Sequence, residues 1–284
     1  MLLFAALIGG AFSIGKQAAP FIAPTALTAL RFLCAAGVMG AAMIVLGVRV
    51  ERRHLDAPWR YLILGGLMGT YFVLMFEALK TAQPVSTSAL FTLVPAMSAG
   101  FGWMLLRQTF SPMARLALVI GALGSIWVIF RADFDALLSF DVGHGERIFF
   151  FGCVIHALYA PMVPRLNRGE PVLVFTLGTI LGALLVVGLY AMPAILVTDW
   201  STLPRIVWIT IAYLAIFTTA GTFALMQFAA LRLPSGKVMA YGYLVPAFVA
   251  LYEGLLGNGW PELLVWAGVG LILCALLILL LSRD

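Results

Sequence analysis

Charge is what this chain has least of. Only 10% of its 284 residues are Asp, Glu, Lys or Arg, against roughly 25% in a soluble domain. A solvated globular surface cannot be built from that supply. Cysteine is scarce too. Cys34, Cys153 and Cys274 fall in different apolar stretches without metal-ligand spacing, so there is no disulfide framework and no cysteine metal site to read. They serve as small packing residues, and no metal or cofactor is expected. Enzyme signatures are missing as well: no His-Glu-x-x-His pair, no paired catalytic aspartates and no Gly-x-Ser-x-Gly elbow. No ring of charged or carbonyl filter residues repeats, which speaks against a channel. The in–out alternation of a membrane barrel is also lacking.

Apolar residues fill the space, at 63% of the chain. They come in blocks of about 20, the length that crosses a bilayer as helix. Ten spans are predicted, near 2–22, 25–47, 58–79, 84–106, 112–131, 147–164, 171–193, 204–231, 235–257 and 261–282. The fold class is therefore an all-α polytopic membrane protein. Residues 2–14 followed by Ala18-Ala19 have some look of a leader. No basic stretch precedes them, however, and Lys16 lies where the apolar region would end, so they are read as the first span.

The net charge of +5 does not point to nucleic acid, because the basic residues alternate by loop. Eleven lie on the side of the N-terminus: Arg49, Arg52, Arg53, Arg60, Arg107, Arg115, Arg165, Arg168, Arg232, Lys237 and Arg283. Four lie opposite: Lys80, Arg131, Arg147 and Arg205. The positive-inside rule puts both termini in the cytoplasm. The longest external connection, 132–146, carries Asp133, Asp135, Asp141 and Glu146 and reads as a solvated loop.

The chain repeats itself. Residues 69–80 read GTYFVLMFEALK and residues 221–232 read GTFALMQFAALR, identical at five of twelve positions. Leu93-Val94-Pro95 recurs as Leu244-Val245-Pro246 at nearly the same offset. The halves are 1–131 and 147–284, each with five spans. Five is odd, so the second half enters the membrane from the opposite face, an inverted repeat about a central cavity. Two such halves can exchange conformations, which is the physical core of alternating access. Pro95 and Pro246 sit mid-span, where each deletes one backbone hydrogen bond and frees the carbonyl four residues upstream, on Phe91 and Gly242. They are predicted to be kinks that gate the cavity.

Intramembrane charge costs roughly 2.5–3.5 kcal/mol per group on insertion scales, so each instance needs a reason. Lys16, Arg31, Glu77 and Glu253 lie within the spans. Glu77 and Lys80 are spaced for an i,i+3 pair. Arg31 reads as a structural bridge to loop carbonyls. Lys16, placed near the middle of the first span, is either in a salt bridge, with Glu253 the best partner, or a cavity cation that receives a substrate carboxylate. His156 is either a neutral histidine donating to a backbone carbonyl or a proton carrier. Aromatic residues surround the prolines. The predicted substrate-binding set is Lys16, Tyr71, Phe91, His156, Tyr159, Phe217 and Tyr243. An apolar pocket with few polar groups suits a small amphipathic molecule.

Gly9, Phe12 and Lys16 in the first span, then Pro24 and Arg31-Phe32 opening the second, resemble the drug/metabolite transporter superfamily, and its EamA-type members most. The paired Leu-Val-Pro and glycines 121, 124, 268 and 270 in the fifth and tenth spans fit the same pattern. Two departures stand out. Ile8 replaces the tryptophan usual before the first-span glycine, and the turns after the fourth and ninth spans carry Gln108 and Gly257-Asn258-Gly259 instead of glutamate. The resemblance implies a monomeric carrier in a bacterial inner membrane that exports amino acids, aromatic ones above all, or related metabolites. It implies a small-molecule substrate and the lipid bilayer as the only partners. A broad-specificity efflux protein is the alternative within transport, and a membrane-embedded enzyme or scramblase the one outside it.

Overall fold

The computed structural model describes residues 2–129 and 142–281, and every regular element among them is helical. Ten rods follow one another: α1 (Leu2–Ala18), α2 (Pro24–Val45), α3 (Trp59–Leu79), α4 (Pro84–Leu106), α5 (Pro112–Ile129), α6 (His144–Leu166), α7 (Val172–Val197), α8 (Arg205–Ala230), α9 (Ser235–Leu255) and α10 (Leu263–Leu281). Eight are long and apolar enough to cross a membrane, while α1 and α5 are apolar but shorter. Proline starts most of them. Pro24, Pro84 and Pro112 are first residues, and Pro58, Pro171, Pro204 and Pro234 immediately precede a helix. A helix start is where the missing N–H costs nothing and the fixed φ is already helical.

Most of the predicted spans recur within a few residues. The largest difference with consequences is at the first, where the helix ends at Ala18 and the chain turns before Pro20. Lys16 is thereby in the last turn of α1, not its middle. Most of the predicted connection 132–146, with Asp133, Asp135 and Asp141, lies outside the described residues, and α6 already begins at His144.

The two Leu-Val-Pro segments do more than kink a continuous helix. In α4, Thr92 N–H donates to Ala89 and Leu93 N–H to Leu90, both at 3.0 Å. These tight i→i−3 bonds end one helical segment at Phe91, and another starts at Val94 with Pro95 in its first turn. In α9, a 3₁₀ turn at Tyr241–Leu244 precedes a restart at Val245. A ring without an N–H is tolerated when the helix begins afresh beneath it. A third interruption was not predicted: a π-helical stretch at Ile216–Gly221 inside α8.

Packing places α2 on α7, α3 on α6 and α7, and α1 on α8 and α9. The two broken helices, α4 and α9, cross each other, and α4 also packs on α6. Phe91 lies against Gly242 at that crossing. Outside this group α5 pairs with α10. Gly124 and Gly268 let their backbones meet, since a Cβ on either would come to about 3 Å of the other's carbonyl oxygen. Gly121 instead receives the Tyr243 ring. Gly270 faces open space.

Candidate functional site

At the centre α1, α3, α4, α6 and α8 enclose a cavity of about 20 Å³, room for roughly one water. Phe4 and Ile8 close it from α1, Tyr71 and Phe72 from α3, Phe91 from α4, and Thr218, Thr222 and Phe223 from α8. His156 of α6 joins them. Its ring stacks on Tyr71 at 4.3 Å between centroids and lies 5.2 Å from Phe91. Phe12 buttresses Phe91 edge-on at 6.1 Å.

Three predicted residues, Tyr71, Phe91 and His156, are thus brought together. His156 does not donate to a backbone carbonyl: it is buried, and neither ring nitrogen has a partner. An imidazole carries one donor and one acceptor when neutral. Leaving buried polar groups unpaired costs about 1–3 kcal/mol each, and His156 carries two of them.

The other predictions fare differently. Tyr159 is buried nearby, but its hydroxyl accepts from Gln227 Nε2 at 2.9 Å. Gln227 also donates to Thr179 and accepts from Thr176, closing a polar network among α6, α7 and α8. Tyr243 packs on α5 in the satellite cluster, away from the cavity. Phe217, in the π-helical stretch, is 46% exposed and packs against Tyr213 in a tilted ring contact at 5.5 Å. Lys16 donates to the Ala82 carbonyl at 3.0 Å in the α3–α4 turn. It makes no ion pair with Glu253, whose carboxylate accepts from Asn258. Glu77 and Lys80 do pair, at 2.9 Å. Pro95 and Pro246 are buried beside the site without lining it.

Arg31 is fully buried, and its acceptors lie not in a loop but in the π-helical stretch of α8. Nε and Nη2 donate to Thr219 Oγ1 at 3.0 and 2.6 Å, and Nη2 reaches Thr218. The guanidinium carbon stands 3.7 Å over the Phe72 ring.

Polar contacts gather at both ends of the helix group. At the end where α3 and α9 begin, Arg60 pairs with Glu170 at 2.6 Å and donates to Leu166 O. There Ser235 bonds Gln108 and Ser98 O, and Arg165 reaches Leu105 O. Burial alone would raise the Glu170 carboxyl. The Arg60 guanidinium and the Arg168 N–H more than offset that, holding it below the usual carboxylate range. At the opposite end Ser86 donates to Glu146 at 2.9 Å beside the Lys16 contact. A vestibule of about 370 Å³ opens there, lined by Gln83, Ser86, Glu253 and Asn258. A larger groove, about 410 Å³ between α2 and α7, carries no titratable side chain.

Sequence reasoning missed Gln227, Thr218 and the Arg60–Glu170 pair. Gln227 carried a signal as the lone amide within the span 204–231. The other two required knowing which helices and turns meet in space.

These features define a multi-pass helical membrane protein with a closed internal site. The match to known proteins is narrower. The EamA-like transporter family model covers residues 1–130 and 145–281, and the chain belongs to that family. It is also similar to the "Uncharacterized transporter YyaM" of Bacillus subtilis (strain 168). The two are 25% identical over 264 residues, covering 91% of this chain and 85% of the relative. A solved structure described only as "Crystal structure of protein" has the same fold. It shares a TM-score of 0.75 at 21% identity, covering 100% of this chain and 97% of that one.

Proposed function

We propose that the protein is an alternating-access carrier that exports amino acids, aromatic or hydrophobic ones foremost, or closely related metabolites. Ten helices cross a bacterial inner membrane as two oppositely inserted five-helix halves, 1–131 and 147–284, with both termini cytoplasmic. The packing supports this division. Exchanging the halves turns the α1–α8 contact into α6–α3, α1–α9 into α6–α4, and α2–α8 into α7–α3, while α2–α7, α4–α9 and α5–α10 map onto themselves. The family match over 1–130 and 145–281 supports it as well.

One observation carries the site: a closed cavity between the halves, walled by aromatics, with His156 unpartnered at its edge. An apolar wall with one unsatisfied polar group suits a small amphipathic molecule. At about 20 Å³ the cavity is far too small for cargo, so loading requires one end to open. Breaking the Arg60–Glu170 contacts opens one face, and breaking the Ser86–Glu146 contact opens the other. Purified protein in liposomes loaded with unlabelled phenylalanine or leucine should show saturable counterflow of the labelled compound. His156→Ala should abolish it. Linear, non-saturable leakage in the wild type, or no movement of any amino acid, defeats this reading.

A further inference from the structure

A fully buried arginine needs an anion, and Arg31 has none. The ion pairs Arg53–Glu51, Arg60–Glu170 and Lys80–Glu77 do not involve Arg31. Every bond that Arg31 makes goes to an uncharged acceptor, and Nη1 has no partner at all. A buried charge is normally paired, because hydroxyls and a π face replace only part of its hydration.

Its neighbours explain where a counter-charge could enter. Phe72, stacked on the guanidinium, and Thr218, bonded to Nη2, both line the central cavity. The cation is therefore one side-chain layer from the place where cargo is enclosed. The π-helical stretch prepares this layer. The Thr218 and Thr219 hydroxyls both donate to the Leu214 carbonyl, at 3.1 and 2.8 Å. Their protons are committed, so their lone pairs turn to Arg31. No acidic side chain lines the cavity among the described residues. Lys16 cannot supply the charge, since its ammonium caps the α3–α4 turn and does not line the cavity.

We infer that Arg31 is the specificity-determining charge of the central site, selecting cargo that carries a carboxylate and rejecting cargo of net positive charge. This rests on the carrier reading above and narrows it to anionic and zwitterionic amphiphiles. A cationic amide would meet like charge across a thin, weakly polar layer with nothing acidic to offset it. A purely structural arginine would hold the π turn without caring about the charge of the ligand.

Ligand-induced thermal stabilisation of the purified protein separates the two roles. The probes are phenylalanine, 3-phenylpropionate and phenylalaninamide, with leucine and leucinamide as an aliphatic pair. In the wild type the acids should bind at least about tenfold more tightly than the amides. Arg31→Lys should keep most of that preference, and Arg31→Gln should bring the ratio close to one. If Arg31→Gln does not purify as folded protein, the wild-type ratio and Arg31→Lys still decide. Equal binding of acid and amide by the wild type, or an unchanged ratio in Arg31→Gln, overturns the inference and leaves the carrier reading standing. Leucine preferred over leucinamide with no response to any aromatic probe does the reverse: the aromatic part of the reading falls and the charge selection stands. No response to any probe overturns both.

Discussion

Removing Glu170 should unlock one end of the protein. Its carboxylate and the Arg60 guanidinium are buried, with side chains 3% and 1% exposed, and lie 2.6 Å apart. Breaking a buried pair by deleting one partner costs about 3–5 kcal/mol, because the remaining charge is stranded. In Glu170→Ala the guanidinium keeps the Leu166, Asp56 and Ala57 carbonyls as acceptors, so the low end applies. About 3 kcal/mol shifts the balance between closed and open forms roughly 100-fold. Cys153 offers a native reporter: it is buried on α6, one turn before His156. In a Cys34→Ala, Cys274→Ala background, a water-soluble maleimide should label Cys153 far faster in Glu170→Ala than in the parent. The pH dependence has a definite sign. The folded-state carboxyl is held below its ordinary value of 4.5. The pair's contribution is therefore present above pH 4.5 and is lost as pH falls through the lower, folded-state value. Unchanged Cys153 labelling in Glu170→Ala, with a lowered melting temperature, would refute a gating role and leave the pair a staple of the fold.

Three further outcomes are expected. His156→Phe should cut counterflow at least tenfold, yet leave melting temperature equal or slightly higher, because it removes two unpaired buried nitrogens of about 1–3 kcal/mol cost each. Gln227→Leu takes a partner from the Thr176, Thr179 and Tyr159 hydroxyls, of which Thr179 keeps the Phe175 carbonyl, and should lower stability by about 1–3 kcal/mol in thermal melts. Pro95→Ala and Pro246→Ala permit α4 and α9 to run on as continuous helices. They should change Cys153 labelling more than folding yield, and wild-type labelling in both variants would reduce these prolines to packing residues.

The helical class and the approximate span boundaries were legible because membrane crossing imposes length and apolarity locally. Tyr71 and Phe91 were singled out among the aromatics around the prolines, and both line the central cavity. The depth of Lys16 was misplaced because it depends on where α1 stops, and the turn before Pro20 shortens the helix. Phe217 lies off the cavity wall in the π-helical stretch, where the register shifts by a residue that helical spacing cannot anticipate. Arg31 was seen, but its acceptors were not. They belong to Thr218 and Thr219, more than 180 residues away, and no local pattern reports such a meeting. Tyr243 depended on the 3₁₀ turn that rotates α9 toward α5.

The central claim is that one site is opened alternately from two faces. Spin-label distances test it, with one pair spanning the α3 start and the α6–α7 turn, and a second spanning the α4 start and the α6 start. Across conditions with and without phenylalanine, lengthening at one end should always accompany a short distance at the other. Both ends lengthening together, as in a channel, would contradict the account.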